Sequence, residues 1–269
     1  MAALAAATLV AAGVSAQDAK IVIDGSTTVG PIAKQFAEHF MKEKKGLNIT
    51  VGESGSGNGA KSLINGTCDI ATMSRAMKGE EVEAAKGKGV NAVQHVVAFD
   101  GLAIVVHPSN PVQGLTVAQV RDVYLGKVKS WKDLGGPDKP IVLISRDTNS
   151  GTYEAFEGLV MKKEKIAEGA EYVGSSGAIR QRVQSTPAAI GYVGLGFVDE
   201  TVKALVIDGV APTAETVLSK QYPVSRELYL YTNGDPKAGT ALAEFVGFCK
   251  TEKGRQIVSD IGFVPVPAK

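Results

Sequence analysis

Four times along this chain an apolar, strand-like run breaks into a turn of serine, threonine and glycine that opens onto a helix-like segment. The turns are "DGSTTVGP" (24–31), "GSGNGAKS" (55–62), "TMSRAM" (72–77) and "SRDTNSGTY" (145–153). Strands alternating with helices leave few folds open, because parallel strands need connections long enough to hold a helix. "KIVIDGS" reads as a strand, and "GPIAKQFAEHFMKEKK" follows as a helix, with Pro31 at its start and Ile32, Phe36, Phe40 and Met41 at helical spacing. "LNITVGES" and "CDIATMSR" are the next strands, separated by a short helix "GAKSLING" that Gly66 closes. "VQHVVAFDGLAIVVHPSNP" (93–111) is a longer β-rich stretch, interrupted at Asp100-Gly101 and closed by Pro108 and Pro111.

Beyond it the alternation restarts. Thr116 and Gln119 are spaced as a capping box for "TVAQVRDVYLG", "PIVLISR" is a strand, "SGTYEAFEGLVMKK" and "SGAIRQRVQST" are helices, and "AAIGYVGLGFV" and "RELYLYTN" are strands. Two helices over roughly 236–260 close the chain. This is an α/β protein with mostly parallel sheets flanked by helices, in two lobes joined by extended segments near 100–106 and 226–232. The expected division is 17–102 with 230–269 in lobe I and 103–229 in lobe II. In open α/β sheets ligands lie at the carboxyl ends of strands, where these hydroxyl-rich turns sit.

Composition narrows the function. Lys and Arg number 29 against 28 Asp and Glu, a formal net charge of +1, which disfavours a nucleic-acid binder working through a basic surface. Residues 1–16, "MAALAAATLVAAGVSA", are apolar and end in the small-residue pattern Val14-Ser15-Ala16, so they read as a cleaved export signal, although no Lys or Arg precedes the run. The mature protein is then exported and starts near Gln17. Export permits a disulfide between Cys68 and Cys249, but Cys249 falls on the apolar stripe of a helix, and two buried free thiols are the alternative.

Known nucleotide and hydrolase motifs nearly fit and fail. A P-loop ends in Gly-Lys-Ser/Thr, whereas here the triplet is Ala60-Lys61-Ser62. Gly55, Gly57 and Ala60 meet a dinucleotide fingerprint, but its acidic partner would have to be Glu80 or Glu81, in a run that reads as a solvated helix. A serine-hydrolase elbow would need glycine at Ser56, and His39, His95 and His107 are scattered. What recurs is a set of backbone amides and hydroxyls at helix starts: Ser26, Thr27 and Thr28; Ser56; Ser74 and Arg75; Arg146, Ser150, Gly151 and Thr152. Any one such turn is also what an ordinary helix N-cap looks like. Four of them shared between two lobes suit an oxyanion, with the Arg146 fork pairing two of its oxygens.

"DGSTTVGPIAKQF", "GSGNGAKSLINGTCDIATMSR", "FDGLAIVVHPSNPV", "LTVAQVRDVYLGKVKSWKDLGG", "SRDTNSGTYEAF", "AAIGYVGLGFV" and the terminal "GFVPV" together resemble the periplasmic phosphate-binding proteins of ABC phosphate importers, from about residue 20 onward. The resemblance implies a two-lobe, type II periplasmic-binding-protein fold with a two-segment hinge. It implies a monomer without catalysis or cofactor that closes over one inorganic phosphate in the periplasm and delivers it to a membrane permease. It carries ligand contacts onto Ser26, Thr27, Thr28, Ser56, Arg146, Ser150, Gly151 and Thr152. One branch of the family has an aspartate in the turn after the third strand, where this chain has Ser74 and Arg75. Either Ser74 or a carboxylate from Asp100, beside the hinge, would then accept the proton of hydrogen phosphate, a group sulfate lacks; Asp100 also reads as a simple turn former before Gly101. The same frame could serve arsenate, sulfate, molybdate or tungstate. An exported phosphoester hydrolase would need a nucleophile with a base or a metal cluster, and the sequence offers neither.

Overall fold

The computed structural model describes residues 20–268; the expected leader, 1–16, lies outside them. One continuous path of hydrogen-bonded strands runs through both lobes. In the first, β1 (Lys20–Gly25) pairs in parallel with β2 (Asn48–Val51) and with β3 (Ile70–Met73), and α1 (Gly30–Glu43), α2 (Ser56–Ile64) and α3 (Gly79–Gly87) form the connections. β4 (Ala92–Val106) then leads into the second lobe, where β5 (Gly114–Leu115), α4 (Val117–Tyr124), β6 (Val142–Arg146), α5 (Gly151–Phe156), β7 (Glu171–Val173), α6 (Ser176–Ser185), β8 (Ala189–Gly194), β9 (Lys203–Ala204), β10 (Val206–Ile207) and α7 (Ala214–Leu218) follow. β11 (Ser225–Asn233) returns the chain to the first lobe, which α8 (Ala241–Gly247), α9 (Glu252–Asp260) and β12 (Val264–Pro265) complete. The sheet order is β2-β1-β3-β11-β4-β8-β6-β7, with β12 and β9 also pairing with β4.

Local chemistry accounts for the elements. Pro31 sits in the first turn of α1, where its missing N–H costs nothing, and Ile32, Phe36 and Phe40 bury one face of that helix. Met41 does not share that face: it is 38% exposed. Thr116 and Gln119 make the reciprocal bonds of a capping box, the Gln119 amide donating to Thr116 Oγ1 at 3.0 Å and the Thr116 amide to Gln119 Oε1 at 2.8 Å. α2 begins at Ser56, three residues earlier than the sequence pattern suggests, and the long helix expected from Ser150 becomes a short α-helix, α5, that widens into a π-turn over Glu157–Met161.

Asp100-Gly101 does not interrupt the β-rich stretch. β4 runs unbroken through it and changes partners there: residues up to Gly101 pair with β11, and residues from Leu102 pair with β8. The apolar cores divide at the same place, with Val97, Ala98, Leu228 and Leu230 packing in the first lobe and Leu102, Ile104, Tyr222 and Val224 in the second. On the return segment the two cores part between Val224 and Leu228. β12 pairs with Phe99 and Ala98 of β4 and so flanks the hinge. Cys68 and Cys249 are both buried and unbridged, in separate cores, and burial pushes their thiols up to about 12 and about 11.

Candidate functional site

The turn after β1, the start of α2, the turn after β3 and the start of α5 converge where the lobes meet. Ser26, Thr27, Gly55, Ser56 and Ser74 from the first lobe, with Arg146, Ser150, Gly151 and Thr152 from the second, line one narrow cleft. The side chains in this lining are hydroxyls and one guanidinium, with no carboxylate among them.

Glycines let the lobes approach this closely. A Cβ on Gly151 would lie 2.4 Å from Ser56 Oγ, and one on Gly55, whose φ is +101°, would lie 2.9 Å from Asn149 O. The Gly57 amide donates to Asn149 O across the gap at 3.0 Å. Arg146 ends β6 and is 1% exposed. Val173 O and Gly174 O accept from its Nε and Nη2 at 3.1 and 2.9 Å, which turns Nη1 toward Thr27 Oγ1 at 3.1 Å. Burial pulls this guanidinium below its ordinary pKa, and Asp147, 3.6 Å away, opposes the shift.

The fixed N–H donors set the roles of the hydroxyls, because a backbone amide or guanidinium can only donate. Ser26 Oγ accepts from the Thr28 and Val29 amides at 3.1 and 3.3 Å, and Ser150 Oγ from the Thr152 and Tyr153 amides at 3.1 and 3.2 Å. Thr27 Oγ1 accepts from Arg146, Ser56 Oγ from the Ser74 amide at 3.1 Å, and Thr152 Oγ1 from Arg226 Nη1 at 3.0 Å. Five lining hydroxyls thus have an oxygen already engaged by an N–H, so what each still has to give is its own O–H. Ser74 Oγ differs: its partners are the Ser56 and Thr152 hydroxyls, at 3.3 and 3.4 Å. Thr28 Oγ1 lies just behind the lining, 2.8 Å from Thr152 Oγ1 and 3.2 Å from Ser176 Oγ.

Two expected site residues lie elsewhere. Arg75 is turned away from the cavity: Glu81 accepts from both its Nη atoms at 2.7 Å, and Glu154 of the other lobe sits 2.5 Å from its Nε. Asp100, wholly buried, gives both oxygens to other partners, Oδ2 accepting from Arg226 Nε and Nη2 at 2.9 and 2.8 Å and Oδ1 from the Leu195 amide at 2.8 Å. Desolvation raises its pKa, with Arg226 and the Leu195 amide opposing. Two residues of the cluster escaped the sequence reading. Ser176 bonds Thr27, Thr28 and Arg146, and it stands in "VGSSGAIR", a turn of the same kind as the other four. Arg226 is the second residue of the strand β11 and carries no such signal.

Fold and site together define a two-lobe binding protein that closes on a small anion. The PBP superfamily domain matches residues 10–251. The chain is 36% identical to the phosphate-binding protein PstS of Staphylococcus saprophyticus over 91% of its own length and 80% of that protein's, and 34% identical to PstS of Bacillus subtilis with the same coverage. A Clostridium perfringens substrate-binding protein solved with bound phosphate superposes with a TM-score of 0.84 at 38% identity, covering 92% of this chain and all of that one. The chain belongs to the PstS family of phosphate-binding proteins within the PBP superfamily. Among its described residues no helix is long and apolar enough to cross a membrane.

Proposed function

We propose that this chain captures inorganic phosphate between its lobes, in the periplasm, and delivers it as a monomer to the permease of an ABC importer. Its function is capture, without turnover. The observation that carries this reading is the buried Arg146 guanidinium facing a small lining of hydroxyl and amide donors without a carboxylate. A buried cation among donors is costly unless an anion completes it. The proposed ligand set is Ser26, Thr27, Ser56, Ser74, Arg146, Ser150, Gly151 and Thr152, with Thr28 behind it. The proposed lobes are those expected from the sequence, with the second crossing moved to 224–227.

Arg75 and Asp100 leave the proposed ligand set because each is already taken by opposite charges. Of the two candidates for the ligand's proton, Asp100 is held by Arg226 and Leu195, whereas Ser74 is the lining hydroxyl to which no N–H donates. We assign the proton acceptor to Ser74. Arsenate, with nearly the same charge and protonation, fits the same description. Calorimetry of thoroughly dialysed protein against phosphate, arsenate and sulfate tests the reading. Phosphate and arsenate bind well ahead of sulfate, and Arg146→Ala abolishes the phosphate signal; a variant that binds phosphate like the parent would refute the site.

A further inference from the structure

Asp100 and Arg226 stand opposite each other in register on the two hinge strands, β4 and β11. Two guanidinium nitrogens, Nε and Nη2, grip one carboxylate oxygen of Asp100, and this fixes the plane of the fork. The third nitrogen, Nη1, then faces away from Asp100. It donates to Thr152 Oγ1 in the second lobe at 3.0 Å and to Ser74 O in the first at 3.3 Å. One hinge side chain thereby bonds a carboxylate at the pivot, a backbone carbonyl of one lobe and a lining hydroxyl of the other.

We propose that Arg226 is a positioning residue of the anion site, acting through Thr152. By donating to Thr152 Oγ1 it makes that oxygen an acceptor, so the hydroxyl's own proton, with Thr28 Oγ1 at 2.8 Å and Ser74 Oγ at 3.4 Å as its neighbours, is what Thr152 can turn to an anion in the cavity. A hydroxyl that accepts from a cation is also a stronger donor, because hydrogen bonds in a chain polarise one another. Positive charge so reaches the ligand through an O–H, while the guanidinium stays behind the lining, neutralised by Asp100. The role of Asp100 is to hold Arg226 in this orientation. Asp100–Arg226 remains within the hinge when the lobes part, whereas Nη1 can hold Thr152 of one lobe and Ser74 O of the other together only when the lobes are closed.

This inference rests on the phosphate reading, and a double-mutant cycle separates the two. Phosphate affinity is measured by calorimetry for the parent, Arg226→Gln, Thr152→Val and the double variant, with melting temperatures recorded in parallel. Arg226→Gln is expected to weaken binding about tenfold in the parent and less than about twofold when Thr152 is already Val, and Thr152→Ser, which keeps the hydroxyl, restores the full effect. An Arg226 that merely supports the fold would cost the same factor in both backgrounds, and that result overturns the relay. Should Arg226→Gln not fold, Arg226→Lys takes its place. Its ammonium keeps the charge but cannot hold the fork on Asp100 and reach Thr152 together, so the same coupling is expected and additive costs overturn the proposal. A parent protein that binds no phosphate would instead refute the function proposed above.

Discussion

Ser74 shows how much one side chain decides. A hydroxyl can receive the O–H of hydrogen phosphate or, by rotating, donate to an oxygen that carries no proton, so it discriminates less sharply than a carboxylate would. Ser74→Ala removes the acceptor and leaves the five donor hydroxyls in place. Phosphate affinity should fall about tenfold while sulfate affinity stays within about twofold, read by calorimetry; equal losses for the two anions would clear Ser74 of the role. Asp100→Asn, by contrast, should alter the two affinities together, because Asp100 acts on Arg226 rather than on the ligand. At this scale the sequence was most legible where local chemistry repeats. Hydroxyl turns at helix starts named Ser26, Thr27, Ser56, Ser150 and Thr152, and the same rule applied to "VGSSGAIR" would have named Ser176. Arg226 was hidden because its importance depends on which strand pairs with it, and Arg75 misled because Glu81 and Glu154, six and 79 positions away in the chain, claim its guanidinium.

α5 carries two interlobe contacts on one short element. Thr152 faces the cavity, and two residues on, Glu154 faces outward to Arg75, 2.5 Å away, and Lys78, 3.2 Å away, both in the first lobe. The Arg75 and Glu154 side chains are only 9% and 12% exposed, so solvent screens the pair weakly. Opening the lobes must strip Glu154 from both cations, whereas Arg75 keeps Glu81 within its own lobe. Glu154→Gln should therefore ease opening. Phosphate should dissociate roughly three- to tenfold faster by stopped flow, with association changed less, and an unaltered dissociation rate would show that the pair does not resist opening. Helices and strands were legible from periodicity and caps, as in α1 and α4. What periodicity misread was the strand β4, because an Asp-Gly pair has the composition of a turn. The backbone remains extended there because β11 pairs with β4 on one side of the break in partners and β8 on the other, a tertiary fact that local composition does not contain.

The whole molecule inherits its behaviour from the shared strands. β4 contributes side chains to cores in both lobes and β11 to those of the first, and hydrogen-bonded pairing runs unbroken from β2 to β7. Neither lobe can lose its sheet without exposing an edge of the other, so the chain should unfold as one cooperative unit. An anion held by residues of both lobes binds the folded, closed chain and not the unfolded one. By mass action, phosphate at a thousandfold excess over its dissociation constant adds about 4 kcal/mol to stability. At about 2–4 °C per kcal/mol for a chain of this size, the melting temperature should rise by roughly 8–16 °C in a single calorimetric transition. Sulfate at the same concentration should move it far less. Two transitions, of which phosphate shifts one alone, would mean that the lobes unfold independently and that the ligand is held by one of them. A single transition that moves as a whole is the outcome required by a site whose Arg146 lies in one lobe and whose Thr27 and Ser56 lie in the other.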